Sequence, residues 1–559
     1  MKRKFWTILL ILFPILLIFG LLSGLIFTKI NNAYRPSIYN YESYLSPEIV
    51  KKIKNNFDYR EFKEISEFTQ ALSNEKAIAG IGSDFQAAEL IIDNKIKKLD
   101  FEIIFGKDAN NWKTRKKLFK PLVAEHLEKY DQEIFEILKV KKPHAILDET
   151  KKTYDVNGDK IEDHIWEYVI PYFTQDKGIA YSINKTSRPH INENVEKELK
   201  DMQMSWKEIL TKLYEFNYRH FGWTNAHLDN LMIGANYLDW ENYNRFDETN
   251  FKDAIKGFSD FVQETTKNSI KNTNFNYFNS DGLALLNHLI EPKPKKSDVA
   301  ILYNGDALDA YYSSDNFQAV EEGLVRFIRP KNNFLLMDVW IVSKTLTDEQ
   351  MKNIMLVLKE TLYANTEIDE NIDNIDKRIY KLEDKFFNEF LEKLDDKMII
   401  QEKGRIKDEL LQNFVDEYNE TATIKVNKNT IKLSKTQTDE IDEAIKKVDE
   451  FVNLIKSKKF DDAVKIRNNE LYYFDDFLSE LFTESSIGEV MNFDFVVYTP
   501  TEIGLYEFIK KWYFADDEIA ISMYEQPEQT ASYNVKNYPI IETKLRTKII
   551  QAYFEATRS

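Results

Sequence analysis

The sequence predicts an α/β protein that carries a mainly helical insertion and follows a membrane anchor. Three observations carry this reading. Strand-like and helix-like pieces alternate over residues 36–105 and recur, with interruptions, as far as Val342. Residues 346–460 change character: apolar side chains fall at helical spacing among Asp, Glu and Lys. Phe5 to Thr28 form 24 consecutive uncharged positions, and a spanning helix needs about 20.

Lys2, Arg3 and Lys4 precede the apolar stretch, and Lys29 and Arg35 follow it. Positive charge at the start favours a cytoplasmic N-terminus and puts the bulk of the chain outside, as a single-pass protein. Leu22-Ser23-Gly24 is a faint cleavage signal, but the stretch is longer than a signal peptide requires and reads as an uncleaved anchor. Ser37 to Asn40 then reads as a strand. Ser46-Pro47-Glu48 reads as a helix start, with Ser as the cap and Pro at the first position. Phe68 to Leu72 continues as helix and Ala77 to Ile81 as a strand. Gly80-Ile81-Gly82-Ser83 turns into a helix over Phe85 to Ile92. Residues 106–165 are charged and mostly helical. Within them Asp155 to Asp163 (DVNGDKIED) suggests either a hairpin turning at Asn157-Gly158 or a degenerate calcium loop, with Lys160 and Trp166 where Gly and Glu belong. Trp166 to Asn184 is strand-like, 205–290 helical, and Asp298 to Tyr303 and Arg326 to Val342 strand-like again.

In the insertion, Ile368, Ile372, Ile375, Ile379, Leu382 and Phe386 keep the 4-3 spacing of a coiled-coil seam. That face either packs on its own domain or docks a partner. Ile424 to Leu433 alternates around Asn427 to Asn429 and predicts a hairpin. Thr438 opens a further helix.

Composition excludes several classes. The 559 residues include 93 acidic and 76 basic side chains, a formal charge of −17. Such a surface repels nucleic acid and attracts cations. The chain has no Cys, which excludes disulfides, thiolate zinc, Cys nucleophiles and a lipid-modified cysteine. Its seven His form no H-E-x-x-H pattern. Gly80-Ile81-Gly82-Ser83 is neither a nucleophile elbow nor a dinucleotide loop. No enzyme, cofactor or metal is expected.

What remains is a pattern of rings and carboxylates at strand ends. Tyr39-Asn40-Tyr41-Glu42-Ser43-Tyr44, Tyr303-Asn304-Gly305-Asp306 and Leu336-Met337-Asp338 each place aromatic or acidic groups there. Open α/β sheets bind ligands outside the carboxyl ends of their strands, and rings with carboxylates suit a cation.

These segments resemble, in the same order, the spermidine/putrescine-binding proteins of polyamine ABC importers. Tyr39 to Leu45 resembles that family's Y-N-W-x-x-Y-V, and Gly82 to Phe85 its P-S-x-Y turn. Ile170-Pro171-Tyr172 with Gly178 to Tyr181 is similar to its crossover. Ser205-Trp206 with Leu210 resembles its S-W-x-D-L segment. Tyr303 to Ala307 resembles W-N-G-S-A, Glu321 to Asp338 the E-G-G-x-x-W-M-D stretch, and Val497 to Thr501 the G-Y-x-T-P loop. The resemblance implies a two-lobed periplasmic-binding-protein type II fold. Its expected layout is an anchor at 1–35, a first lobe at 36–180 and a second lobe at 181–336. The chain then returns to the first lobe at 337–505, with the insertion at about 346–490, and to the second at 506–559. Crossings between lobes are expected near Tyr172 to Tyr181 and Leu335 to Asp338.

The resemblance also implies ring walls at Tyr41, Tyr44, Tyr303 and Tyr498, a cleft lining of Ser83 and Phe85, and amine partners at Asp338 and Asp229. The family's neighbouring acid appears as Asn225 or Ala226, and Tyr41 and Tyr303 stand where the family has Trp. The implied partners are a polyamine, the permease of an ABC transporter and, through it, the ATPase. Other expectations left open are another cation, such as thiamine or ferric iron, and a surface adhesion role for the insertion.

Overall fold

The computed structural model describes residues 35–63, 65–313, 320–421 and 425–557. The anchor read at Phe5 to Thr28 lies outside the described residues. Among the described residues no helix is long and apolar enough to cross a membrane.

Thirteen strands are described: β1 (Ser37–Tyr41), β2 (Asp58–Phe62), β3 (Ala77–Ser83), β4 (Ile146–Asp148), β5 (Thr153–Tyr154), β6 (Val169–Ser182), β7 (Phe221–Thr224), β8 (Asn276–Asn279), β9 (Val299–Tyr303), β10 (Val325–Ile328), β11 (Asn332–Val342), β12 (Thr499–Pro500) and β13 (Asn534–Asn537). The main sheet runs β2-β1-β3-β11-β6-β9-β7-β8, and β4 pairs with β5 apart from it. β1, β2 and β3 are parallel, as are β9, β7 and β8. Between these parallel groups, β11 and β6 run antiparallel to each other and to β3 and β9, while β13 pairs in parallel with the start of β11. β6 is buried along its whole length. Its start pairs with β11 and β12, and its end with β9 and β10. The chain therefore passes between two halves of the sheet twice, within β6 and again between β10 and β11.

A buried ion pair fastens this crossover. Arg329 Nε lies 2.5 Å from Asp176 Oδ2, and the guanidinium also donates to the carbonyls of Ser522, Met523 and Glu525. Full hydrogen bonding is what makes such a buried charge tolerable.

Local expectations mostly fit, with instructive departures. The helix after Ser46 spans Pro47–Lys54, but the Ser46 side chain makes no cap bond; its backbone N–H donates instead to Asn492 Oδ1. β3 runs through Ser83, so the helix Asp84–Ile92 begins with no intervening turn. Residues 205–290 hold four helices, and also β7 and β8, which the helical reading missed. Asp155 to Asp163 is not a hairpin. Asp155 accepts from the backbone N–H groups of Asn157, Gly158 and Lys160, and one Tyr154–Asp163 bridge closes the loop.

The insertion contains the helices Ile375–Lys393, Asp396–Thr421, Lys435–Lys456, Phe460–Arg467 and Asp475–Thr483. The coiled-coil seam is corrected: Ile368 and Ile372 precede the first helix, which Asn374 caps through the Lys377 N–H. Leu382 and Phe386 do face inward, into a core shared with Leu302, Leu308, Phe508 and Trp512. Phe387 meets Trp512 edge-on at 4.5 Å. The predicted hairpin around Asn427 to Asn429 is a turn without strands; Val426 bonds through its backbone to the Asn419 side chain.

Candidate functional site

The carboxyl ends of β1, β3 and β9 and the middle of β6 and β11 converge on one buried cluster of tyrosines and carboxylates. Asp338 sits on β11 directly opposite Ser83 and Phe173. Its carboxylate is buried, accepts the Tyr44 hydroxyl at 2.5 Å and the Gln175 amide at 2.6 Å, and has no ion-pair partner among the described residues. Burial pushes Asp338 up to about 7, beyond what the bonds from Tyr44 and Gln175 pull back; nearby Asp84 adds to the rise. Burial, then the charge of Asp338, holds the Tyr44 hydroxyl well above its ordinary range, so it remains a donor.

Rings wall this carboxylate. Tyr44 packs edge-on against Tyr41 at 5.5 Å and Tyr498 at 5.4 Å. Tyr498 in turn donates to Asp306 Oδ1 at 2.5 Å. Asp306 starts the helix that follows β9, is buried, and is shifted upward, first by burial. Gly305 permits this arrangement: a Cβ there would stand 1.9 Å from Tyr498 Cδ1. Ser83 Oγ is buried with no hydrogen-bond partner, beside Asp338 in register.

Asp229 and Tyr303 form a second group. Asp229 begins the helix His227–Tyr237 and Tyr303 ends β9. Between them stands Lys177, on β6 and fully buried. Its Nζ is 2.7 Å from Asp229 Oδ2, 2.8 Å from Thr224 Oγ1 and 3.6 Å from the centre of the Tyr303 ring. The Tyr538 hydroxyl donates to the other Asp229 oxygen at 2.8 Å and lies 3.0 Å from the Tyr303 hydroxyl. Phe85 stacks on Tyr538 at 5.7 Å.

All eight residues expected at the site thus lie in two adjoining groups: Tyr41, Tyr44, Ser83, Asp338 and Tyr498 in one, Asp229 and Tyr303 in the other, with Phe85 reaching the second through Tyr538. Residue-by-residue reading missed Gln175, Lys177 and Tyr538, and noted Asp306 at its strand end without assigning it to the site. A signal for Lys177 was available: a lysine in the middle of a long strand-like run is rarely buried without a partner. Away from the cleft, His190, His220 and Asp298 also cluster. Asp298 there accepts the backbone N–H groups of Arg219 and His220 and faces Arg188 at 3.6 Å, so its charge is already compensated.

No family model and no curated protein matches this sequence. Solved structures do match. A spermidine/putrescine ABC transporter substrate-binding protein from Streptococcus pneumoniae, in complex with calcium and HEPES, shares 13% identity over 60% of this chain and 80% of its own, with a TM-score of 0.37. A lipoprotein of Treponema pallidum shares 15% over 59% and 82%, with a TM-score of 0.37. An iron-bound protein from Pseudomonas aeruginosa shares 11% over 58% and 79%, with a TM-score of 0.31.

Proposed function

We propose that this chain is an extracytoplasmic binding protein, held at the membrane by Phe5 to Thr28, that captures a polyamine and presents it to an ABC-type importer. The observation that carries the reading is Asp338: a buried carboxylate bonded to Tyr44, whose ring packs against Tyr41 and Tyr498, with no ion-pair partner among the described residues. An unpaired buried carboxylate is costly, and an ammonium ion seated against it and the rings would offset that cost. The strand order and double crossover support a two-lobed type II arrangement, in which rotation about β6 opens and closes the cleft. Tyr44 and Tyr498 spend their hydroxyl protons on Asp338 and Asp306. This favours an amine over ferric iron, which would need tyrosinate.

Calorimetry of the full chain in detergent with putrescine and spermidine tests the proposal. Binding near micromolar strength, about −8 kcal/mol, that disappears in Asp338→Ala is expected. A folded wild-type protein giving no heat with any polyamine refutes it.

A further inference from the structure

We infer that Lys177 is a built-in ammonium group that fills the far end of the cleft, so that the ligand is a short diamine rather than a longer triamine. The inference rests on the amine-binding reading above and sharpens it.

Lys177 meets every group that the second amine of a long ligand would use. One N–H points to Asp229, one to Thr224, and the ammonium lies over the Tyr303 ring. Tyr538 holds the remaining Asp229 oxygen. This is the environment expected around a bound amine, carboxylate beneath and aromatic face alongside, supplied here from within the chain. Lys177 is fully buried on a strand that belongs to both halves of the sheet, and Asp229 is the carboxylate it pairs with among the described residues.

The charges left over define the ligand. Among the described residues the two groups hold Asp229, Asp306 and Asp338 against one lysine, Lys177; nearby Asp84 is already taken by His126 and the Met337 N–H. Asp306 and Asp338 have no ion-pair partner among the described residues, and each accepts one tyrosine hydroxyl. The Tyr44 and Tyr498 rings, 5.4 Å apart, connect the two acids and offer an apolar surface to the methylenes between two amines. Two acids without cations match two ammonium groups. A third ammonium would enter a buried site with its carboxylate already taken.

The test compares putrescine and spermidine by calorimetry on the full chain at pH 8. The expected result is putrescine bound at least about tenfold more tightly than spermidine, with the preference narrowed or reversed in Lys177→Met, which keeps the length and removes the charge. Equal or tighter spermidine binding by the wild type overturns the inference, as does an unchanged ratio in a folded Lys177→Met protein. Because Lys177→Met strands Asp229, the pair Lys177→Met/Asp229→Asn provides a second variant. It should keep the wild-type preference, since neither a charge nor its complement remains; spermidine overtaking putrescine in that pair also overturns the inference. Absence of any amine binding by the wild type removes the underlying reading, and this inference with it.

Discussion

Amine binding should depend on pH through one carboxyl group. Asp338 is pushed up to about 7 by burial. An amine enters as an ammonium ion and requires the ionised carboxylate, so binding displaces a proton from any molecule in which Asp338 is neutral. At pH 6, one unit below the midpoint, roughly one molecule in eleven carries the charge. Apparent affinity there should be about tenfold weaker than its plateau, a difference of ~1.4 kcal/mol. At pH 7 it should be weaker by about twofold, and at pH 8 close to the plateau. Calorimetry in two buffers of different ionisation heat measures the protons directly. Release should be about 0.9 per amine at pH 6, about 0.5 at pH 7 and about 0.1 at pH 8. Asp306 is also shifted upward, so release above one proton would point to it. A dissociation constant that is flat from pH 6 to 8, with no proton released, would refute the argument.

Other consequences can be checked on stability and geometry. The folded-state value of Asp338 lies above its unfolded one, so the native state holds the extra proton between about pH 4 and 7, and stability falls as pH rises through that window. Asp338→Asn should therefore raise the unfolding free energy of the ligand-free protein from urea denaturation at pH 8, by on the order of 2–4 kcal/mol, and change little at pH 4; a lower value at pH 8 would contradict this. Gly305→Ala must displace the Tyr498 ring and break its bond to Asp306, so polyamine affinity should fall by about tenfold, the worth of one such charged hydrogen bond; calorimetry would show it. Arg329→Met leaves Asp176 buried and unpaired with three carbonyls unserved, and should cost about 3–5 kcal/mol in urea unfolding. Arg329→Met/Asp176→Leu should recover much of that loss.

Legibility in the sequence followed the range of the interaction. Strands such as β1, β3 and β9 were readable because each is a short run rich in apolar or aromatic residues, a local signal. Asp338 stood out because an acid closes an apolar run, and the structure gives it Tyr44 and Gln175. The partnership of Lys177 with Asp229 was not readable, because it depends on how a strand and a distant helix start are set side by side. The false seam had a local cause: the 4-3 spacing runs on through Ile368 and Ile372, but Asn374 caps the helix after them. Alternation around Asn427 failed to make strands because Asn419 takes up the Val426 backbone N–H and carbonyl. The long insertion was readable as helical, but not in its placement.

That placement bears on communication. The helix Ile375–Lys393 reaches the turn before the helix Pro121–Lys141 through Arg378, which donates to the Lys117 and Leu118 carbonyls; Leu118 lies in the same core as Ile38 of β1 and Ile81 of β3. Its other side shares a core with Leu302 and Leu308 of the second half. If the two halves close on the ligand as proposed, a body in contact with both feels the angle between them. By thermodynamic reciprocity, a partner that grips these helices more tightly at one angle changes amine affinity by the same factor as the amine changes the partner's. The outer face of the insertion and the cleft are thus two handles on one equilibrium.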